Sequence, residues 1–415
     1  MNDYRILSRK YRPKRLNEVV GQEFSIKALS NAFKRNKLAH AFILTGIRGV
    51  GKTTIARIIA MGLNCLKEGK PVANPCNKCK NCRDILDDRF EEVLEIDAAS
   101  HTGVEDVREI ISYIKYRPTK GTFKVYIIDE VHMLSNSAFN ALLKTIEEPP
   151  EYVKFIFCTT EVKKIPITII SRCQRYDLNR VERFIIEDYI NSLAKKENIK
   201  ITEQAIKLIS LYSEGSVRDS LSILDQALLT IEGNSIDIDN INKTLGLSGQ
   251  EMIQDLFLYI IVGKTKEALD ILSKAYEKGG NPKTICDDLL RINYHLIYTL
   301  ANNENKNAYD IYDKEKIDII LQKSSIPLLN QTWQMLIKGK EEIEKLPQQI
   351  EALEIVVIRM SFASQLPQVE EIIAEIKKNK NDELKENIDN IDLGNDVKKI
   401  LEIFPESRIL KDNNK

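Results

Sequence analysis

The apolar positions of the first half of the chain switch repeatedly between two periods. His40-Ala-Phe-Ile-Leu-Thr45 is a short unbroken apolar run, which predicts a strand buried on both faces. A helical pattern precedes it from Phe24 to Phe33. Another follows from Lys52 to Met61 and predicts a helix ending near Gly62. Val93-Leu-Glu-Ile-Asp97 predicts a second strand and Val104 to Tyr113 a helix. Phe123-Lys-Val-Tyr-Ile-Ile-Asp129-Glu130 is a third strand, closed by two acids. Ser135 to Glu148 is helical and stops at Pro149-Pro150. Val153-Lys-Phe-Ile-Phe-Cys158 is a fourth strand running into Thr159-Thr160, and a short one ends at Leu178. Strands alternating with helices over 40–178 predict an α/β fold, a parallel sheet with helices on both faces. Such sheets bind ligands at the carboxyl ends of their strands.

From about residue 180 the strand pattern stops. Val181 to Glu197, Thr202 to Ser213 and Ser216 to Ile231 predict three amphipathic helices, the last with Ser216 as its N-cap. Residues 246–365 are again helical, with Leu and Ile at three-to-four spacing and the only tryptophan, Trp333. Residues 366–390 are rich in Lys, Glu, Asn and Asp and read as a flexible linker. Val397 to Pro405 with Ile409-Leu410 forms an apolar island, either a partner-binding segment or a fragment of a small fold. The expected division is 1–180, 181–245, 246–365 and a tail at 366–415.

At 415 residues, about three domains are expected. Lys+Arg and Asp+Glu both number 61, so any nucleic-acid contact must come from a local patch. No apolar run approaches the ~20 residues of a membrane span. Met1 to Lys14 is basic without an apolar core, so a cytoplasmic protein is expected. In a reducing compartment its seven cysteines point to metal or free thiols.

The chemistry centres on Gly46-Ile47-Arg48-Gly49-Val50-Gly51-Lys52-Thr53-Thr54, which fits G-x-x-x-x-G-K-[ST] between a strand and a helix. The glycines let backbone N–H groups wrap a polyphosphate, and the helix N-terminus adds its dipole. Lys52 reaches the β- and γ-phosphates and Thr53 ligates magnesium. The acids at the third strand's tip suit the same site: one carboxylate holds magnesium and its neighbour polarises the attacking water. The competing reading is a cap on the next helix. Cys76-Asn-Lys-Cys79-Lys-Asn-Cys82, with Cys65 upstream, predicts a closed, structural four-thiolate zinc site on an exposed knuckle with little core of its own. Cys65 is the least secure ligand because of the long gap, and free surface thiols are the alternative. Arg218, at a helix start, opposes the dipole and hints at a phosphate contact; a solvated charge beside Asp219 is the plainer account. Residues 11–20 alone read as a basic surface arm.

Taken together, Gly46 to Thr53, the cysteine knuckle after that helix, Asp129-Glu130, Ser171-Arg172-Cys173 and Gly215 to Asp219 resemble the AAA+ clamp-loader ATPases. Lys10 to Pro13 and Val19 to Gln22 add to the likeness, which covers residues 1–365 well and the tail poorly. The resemblance implies a P-loop ATPase domain with an all-α lid and an all-α collar. It implies an ATP-driven machine that opens a ring-shaped sliding clamp and places it on primer–template DNA alongside other loader subunits. Tyr11, Arg12, Val19 and Val20 would line the adenine pocket. Asp129 would hold magnesium, Glu130 would orient water, and Thr160 would sense the γ-phosphate. Arg172 would act as an arginine finger in a neighbouring subunit, against the alternative of an intramolecular ion pair. Arg218 would be a second sensor from the lid, and Arg108 and Thr168 would face DNA phosphates. Long forms of the family carry further domains for the replicative helicase and polymerase; here only residues 366–415 lie past the collar. Two alternatives stand beside this reading: another AAA+ DNA motor, such as a branch-migration helicase, and a non-hydrolysing structural loader subunit.

Overall fold

The computed structural model describes residues 6–100, 103–231, 235–245, 250–302 and 312–365. The tail, with its apolar island and any helicase or polymerase contact, lies outside the described residues.

Five parallel strands form the central sheet: β1 (Ala41–Thr45), β2 (Val93–Asp97), β3 (Lys124–Asp129), β4 (Val153–Thr159) and β5 (Gln174–Asp177), in the order β2-β3-β4-β1-β5. Alternate residues of each strand face opposite layers. Phe42, Leu44, Val125, Ile127 and Ile156 pack with the helices Glu23–Lys34 and Lys52–Asn64. Ala41, Ile43, Tyr126, Ile128, Phe155 and Phe157 pack with the helices Val104–Ile114 and Asn136–Glu147. Both faces are covered, which is why the central strands read as unbroken apolar runs.

A third apolar cluster joins the helices Arg183–Lys196, Glu203–Tyr212, Val217–Thr230 and Ile238–Thr244. Leu7, on the short helix Leu7–Lys10, inserts into it, and the Leu7 N–H donates to the buried carboxylate of Asp225 at 2.6 Å. The amino-terminal arm thus straps onto the helical region instead of lying free on the surface. The region also holds a two-residue parallel pair, β6 (Lys200–Ile201) with β7 (Ser235–Ile236). These segments are too short to show a period-two pattern, so sequence periodicity passed over them.

Among the described residues, six helices from Gln250–Val262 to Gln349–Ala363 build a separate core around Leu289, Leu329, Leu336 and Val357. They meet the preceding region through Tyr212, whose hydroxyl donates to Asp288 at 2.7 Å while the Arg291 guanidinium stacks 4.1 Å from its ring centroid. Among the described residues no helix is long and apolar enough to cross a membrane.

The cysteine knuckle departs from expectation. The helix after the glycine-rich loop runs to Asn64, past Gly62, and delivers Cys65 at its end. Cys65 and Cys82 are buried, and Ile85 of the helix Lys80–Leu86 packs into the main core with Val72. Asn81 donates to the Asn64 carbonyl at 3.1 Å. The Asn64 side chain in turn accepts from the Thr122 and Phe123 N–H groups, both at 2.9 Å. The knuckle is therefore stitched to the entry of β3 and is not a free-standing exposed module.

Candidate nucleotide and metal sites

The strand tips converge as the parallel topology requires. Thr45 leads from β1 into the glycine-rich loop, and Gly51 caps the helix Lys52–Asn64. Lys52 is buried, and its ammonium donates to the Gly46 and Ile47 carbonyls at 2.9 and 3.0 Å. Burial lowers its pKa, while Glu130, Cys158 and Asp129 pull the other way. Thr53 Oγ1 donates to Asp129 Oδ2 at 2.6 Å, which joins the first turn of that helix to the tip of β3. A hydroxyl and a carboxylate oxygen side by side are hard donors of the kind magnesium takes.

Glu130 follows in the left-handed region, with φ of 44°, an unusual conformation for a side-chain-bearing residue. Its carboxylate accepts from Thr160 Oγ1 at 3.2 Å, so the tips of β3 and β4 face one another. His132 lies on the next turn, Val131–Met133. Nothing in the periodicity marks it, yet its ring is buried between the two tips.

The helical region reaches this site from above. The Arg218 N–H donates to the Gly49 carbonyl at 3.2 Å. Gly49 has φ of +80°, and a Cβ there would lie 1.9 Å from Ser216 Oγ and 3.1 Å from Arg218 Cβ. The start of the helix Val217–Thr230 thus rests on the phosphate loop, capped by Ser216, whose Oγ accepts from the Asp219 N–H at 3.1 Å. Arg48 and Arg218 are both exposed at the site's mouth.

The arm residues divide. Arg12 Nε donates to Thr54 Oγ1 at 3.2 Å, and burial lowers its pKa, with Arg57 and Arg218 adding to the effect. Val19 packs on the sheet core and lies 3.8 Å from where a Gly51 Cβ would sit. Val20 and Tyr11 pack on the helical region, and the Tyr11 hydroxyl donates to Glu197. That bond pushes the tyrosine pKa up to about 12. These four residues therefore bridge the loop and the helical region.

Three residues sit apart. Arg172 Nη2 pairs with Glu147 at 2.7 Å and Nη1 donates to the Thr168 carbonyl at 2.7 Å, so its partners are not nucleotide-site residues. Thr168 is exposed. Arg108 is exposed too and pairs with Glu105 at 2.6 Å.

The sulfur atoms of Cys65, Cys76, Cys79 and Cys82 all lie within 4.8 Å of one another. A tetrahedral zinc with bonds of about 2.3 Å calls for sulfurs roughly 3.8 Å apart, and Cys76 and Cys82 are 4.0 Å apart. Backbone N–H groups point at the sulfurs: Lys78 and Cys79 at Cys76, and Cys82 at Cys79, over 3.3–3.5 Å. Burial raises the Cys76 pKa, but the Lys78 and Cys79 N–H groups together with the Cys65 and Cys79 side chains bring the thiol down to about 6. The donor set fits zinc, Cys65 included, and has no open position.

The geometry coincides with clear likenesses to known proteins. Residues 21–182 match the family model "DNA polymerase III, delta subunit". Residues 185–233 match "DNA polymerase III clamp loader subunit, ATPase lid domain". Residues 236–376 match "DNA polymerase III subunits gamma and tau domain III". The chain is 38% identical over 358 residues to DNA polymerase III subunit gamma of Buchnera aphidicola (strain Sg), covering 86% of this chain and 98% of that protein. It belongs to the DNA polymerase III gamma/tau family.

Gamma/tau relatives differ in length. The Escherichia coli tau subunit is 36% identical over 369 residues, and the match covers 88% of this chain but 56% of that protein. Among solved structures, the Thermotoga maritima RuvB branch-migration motor has TM-score 0.43 at 22% identity, covering 60% of this chain and 79% of that one. The Bacillus subtilis clamp-loader delta protein has TM-score 0.37 at 14% identity, covering 81% and 99%. As a gamma/tau member the chain is a nucleotide-binding clamp-loader subunit of the AAA+ ATPase class, and not the polymerising subunit.

Proposed function

We propose that this chain is an ATP-hydrolysing motor subunit that opens a sliding clamp and loads it on primer–template DNA, in a hetero-oligomer with other loader subunits. The observation that carries this reading is the contact of the helix start at Ser216–Arg218 with Gly49. A lid resting on the phosphate loop moves whenever the loop's occupant changes, and that movement is the means of driving neighbours.

In this reading Gly46 to Thr54 wrap the triphosphate and Lys52 leaves the loop carbonyls for its β- and γ-oxygens. Tyr11, Arg12, Val19 and Val20 flank the adenine. Magnesium, held by Thr53 and Asp129, would neutralise charge on the β- and γ-phosphates. Glu130 orients the attacking water, Thr160 senses the γ-phosphate, and Arg218 reports the same state to the lid. Arg172 serves a neighbouring subunit's loop, breaking its Glu147 pair on assembly. Arg108 and Thr168, both exposed, face DNA phosphates. We divide the chain into an ATPase domain at 1–180, a lid at 181–245 and a collar at 246–365 that holds the oligomer. The cysteine site holds a structural zinc. The intact loop and both acids favour hydrolysis over a purely structural role, and the gamma/tau relationship favours clamp loading over branch migration.

The test is a clamp-loading assay with the full chain, its cognate loader subunits, clamp, primed DNA and ATP. Arginine fingers contribute about 10³–10⁵ in rate. Arg172→Ala is therefore expected to abolish most ATPase activity with ATP affinity nearly intact. A mutant complex that hydrolyses ATP at the parental rate refutes the trans role. Failure of the parental chain to support loading refutes the function.

A further inference from the structure

His132 sits on the short turn Val131–Met133, directly after the two acids, and its side chain is 7% exposed. Its Nδ1 lies 3.1 Å from Thr159 Oγ1 and 3.5 Å from Glu130 Oε2. Its Nε2 lies 3.4 Å from Glu161 Oε1. The imidazole therefore spans from the tip of β3 to two positions at the tip of β4, Thr159 and Glu161. The groups it touches are themselves tied down. The Glu161 N–H donates to Thr159 Oγ1 at 3.0 Å, and Lys164 pairs with the Glu161 carboxylate at 2.9 Å.

Glu130 needs such support. Its backbone is left-handed, a conformation that persists only where the surroundings hold it. Its carboxylate, beyond Thr160 at 3.2 Å, meets only His132 among the described contacts at its Oε2. An exposed threonine hydroxyl on one side cannot by itself fix a glutamate rotamer. A buried ring on the other side can.

We propose that His132 is a positioning residue for hydrolysis: its ring, hydrogen-bonded at Nδ1 to Thr159 and facing Glu161 at Nε2, is the buried wall that keeps Glu130 turned toward Thr160. The proposal rests on Glu130 acting as the water-orienting group. His132 contacts neither Lys52 nor the glycine-rich loop in any described hydrogen bond, so it acts on the rate and not on nucleotide affinity. Its loss leaves the site able to bind ATP but with the glutamate free to turn away.

The two edges can be separated by substitution. Asn places an amide near the Nδ1 position, whereas Gln places one near Nε2. A misplacement of this kind costs about tenfold to hundredfold in rate. In the assembled loader, His132→Ala and His132→Gln are expected to lose that much kcat at unchanged KM for ATP. His132→Asn is expected to stay within about threefold of the parent, as befits a substitution that keeps the polar edge facing Glu130. Thermal unfolding is measured for all three. The assignment is overturned if His132→Gln matches or exceeds His132→Asn, or if the kcat losses track Tm or arise with raised KM. Should His132→Ala fail to fold, the Asn–Gln comparison decides alone. Glu130→Gln separates the two levels. An inactive Glu130→Gln beside a fully active His132→Ala refutes only the role of His132. A fully active Glu130→Gln refutes the role of Glu130 and this assignment with it.

Discussion

Replacing Gly49 with alanine tests the coupling between lid and phosphate loop directly. Two costs arise, and both follow from the geometry. An alanine at φ of +80° is strained by roughly 1–2 kcal/mol. Its Cβ would sit 1.9 Å from Ser216 Oγ and 3.1 Å from Ser216 Cβ, so Ser216 must retreat. Overpacking of this kind costs about 1–3 kcal/mol. The cheapest escape is for the lid to lift, since Ser216 and Arg218 are held there by one backbone hydrogen bond, Arg218 N–H to the Gly49 carbonyl. Only the clash is relieved by lifting, so a shift of about 1–3 kcal/mol against the docked lid lowers its population roughly 5- to 150-fold. ATPase rate and ATP affinity, measured by turnover and by fluorescent-nucleotide titration, are expected to fall together, because Arg218 leaves the site. Two controls separate the costs. Gly69→Ala has similar backbone strain, φ of +67°, and nothing within 4 Å, so it should leave the site alone. Adding Ser216→Gly to Gly49→Ala removes the two Ser216 atoms, leaving only Arg218 Cβ at 3.1 Å, and costs only a few tenths of a kcal/mol as an N-cap change, so it should restore much of the loss. If Gly49→Ala hydrolyses ATP like the parent, or if Ser216→Gly rescues nothing, the lid contact is not what couples the two parts.

Two further outcomes follow. Cys79→Ser is expected to take the chain from one bound zinc to less than a tenth of that by elemental analysis. It should also lower Tm, because the knuckle shares its core with the helix Lys52–Asn64; a zinc-free mutant with parental Tm would refute the docked knuckle. Burial, with Arg183 and Arg291 nearby, pushes His295 down to about 4 from its ordinary 6.5. The unfolded chain then takes up a proton first as pH falls, so this group's contribution is intact above about 6.5 and is lost progressively down to about 4. At about 1.4 kcal/mol per pKa unit the bound is roughly 3 kcal/mol, with solvent screening reducing it at this half-buried site. Thermal unfolding of His295→Gln should therefore depend less on pH across that window than the parent does; equal slopes would refute the assignment.

Much of the ATPase half was legible in the sequence because its signals are local. Apolar runs such as Phe123 to Ile128 mark strands covered on both faces, and a glycine-rich loop placed between a strand and a helix has few other uses. The spacing of Cys76, Cys79 and Cys82 likewise names a ligand set within one turn. Pairing across long separations was not legible. The Asn64 and Asn81 side chains bond to distant backbone groups, of Phe123 and Asn64, and backbone partners carry no residue signature. The buried histidine of the turn after Glu130 belongs to no repeat, so only the approach of the β3 and β4 tips reveals what it touches.

The division of labour at the site follows from the same physics. By itself the sequence singled out residues suited to phosphate and metal chemistry, since that suitability depends on residue type and on spacing along a single loop or strand end. Tertiary structure alone decided which of them meet. Thr53 joins Asp129 across 76 residues and Arg218 reaches Gly49 across more than twice that span, because the parallel sheet gathers strand ends and the helical region folds back over them. It also placed Arg172 against Glu147, away from its own loop, and tied the cysteine knuckle through Asn81 and Asn64 to the segment entering β3. Contacts of that kind depend on packing between distant segments, whose relative positions no local pattern encodes.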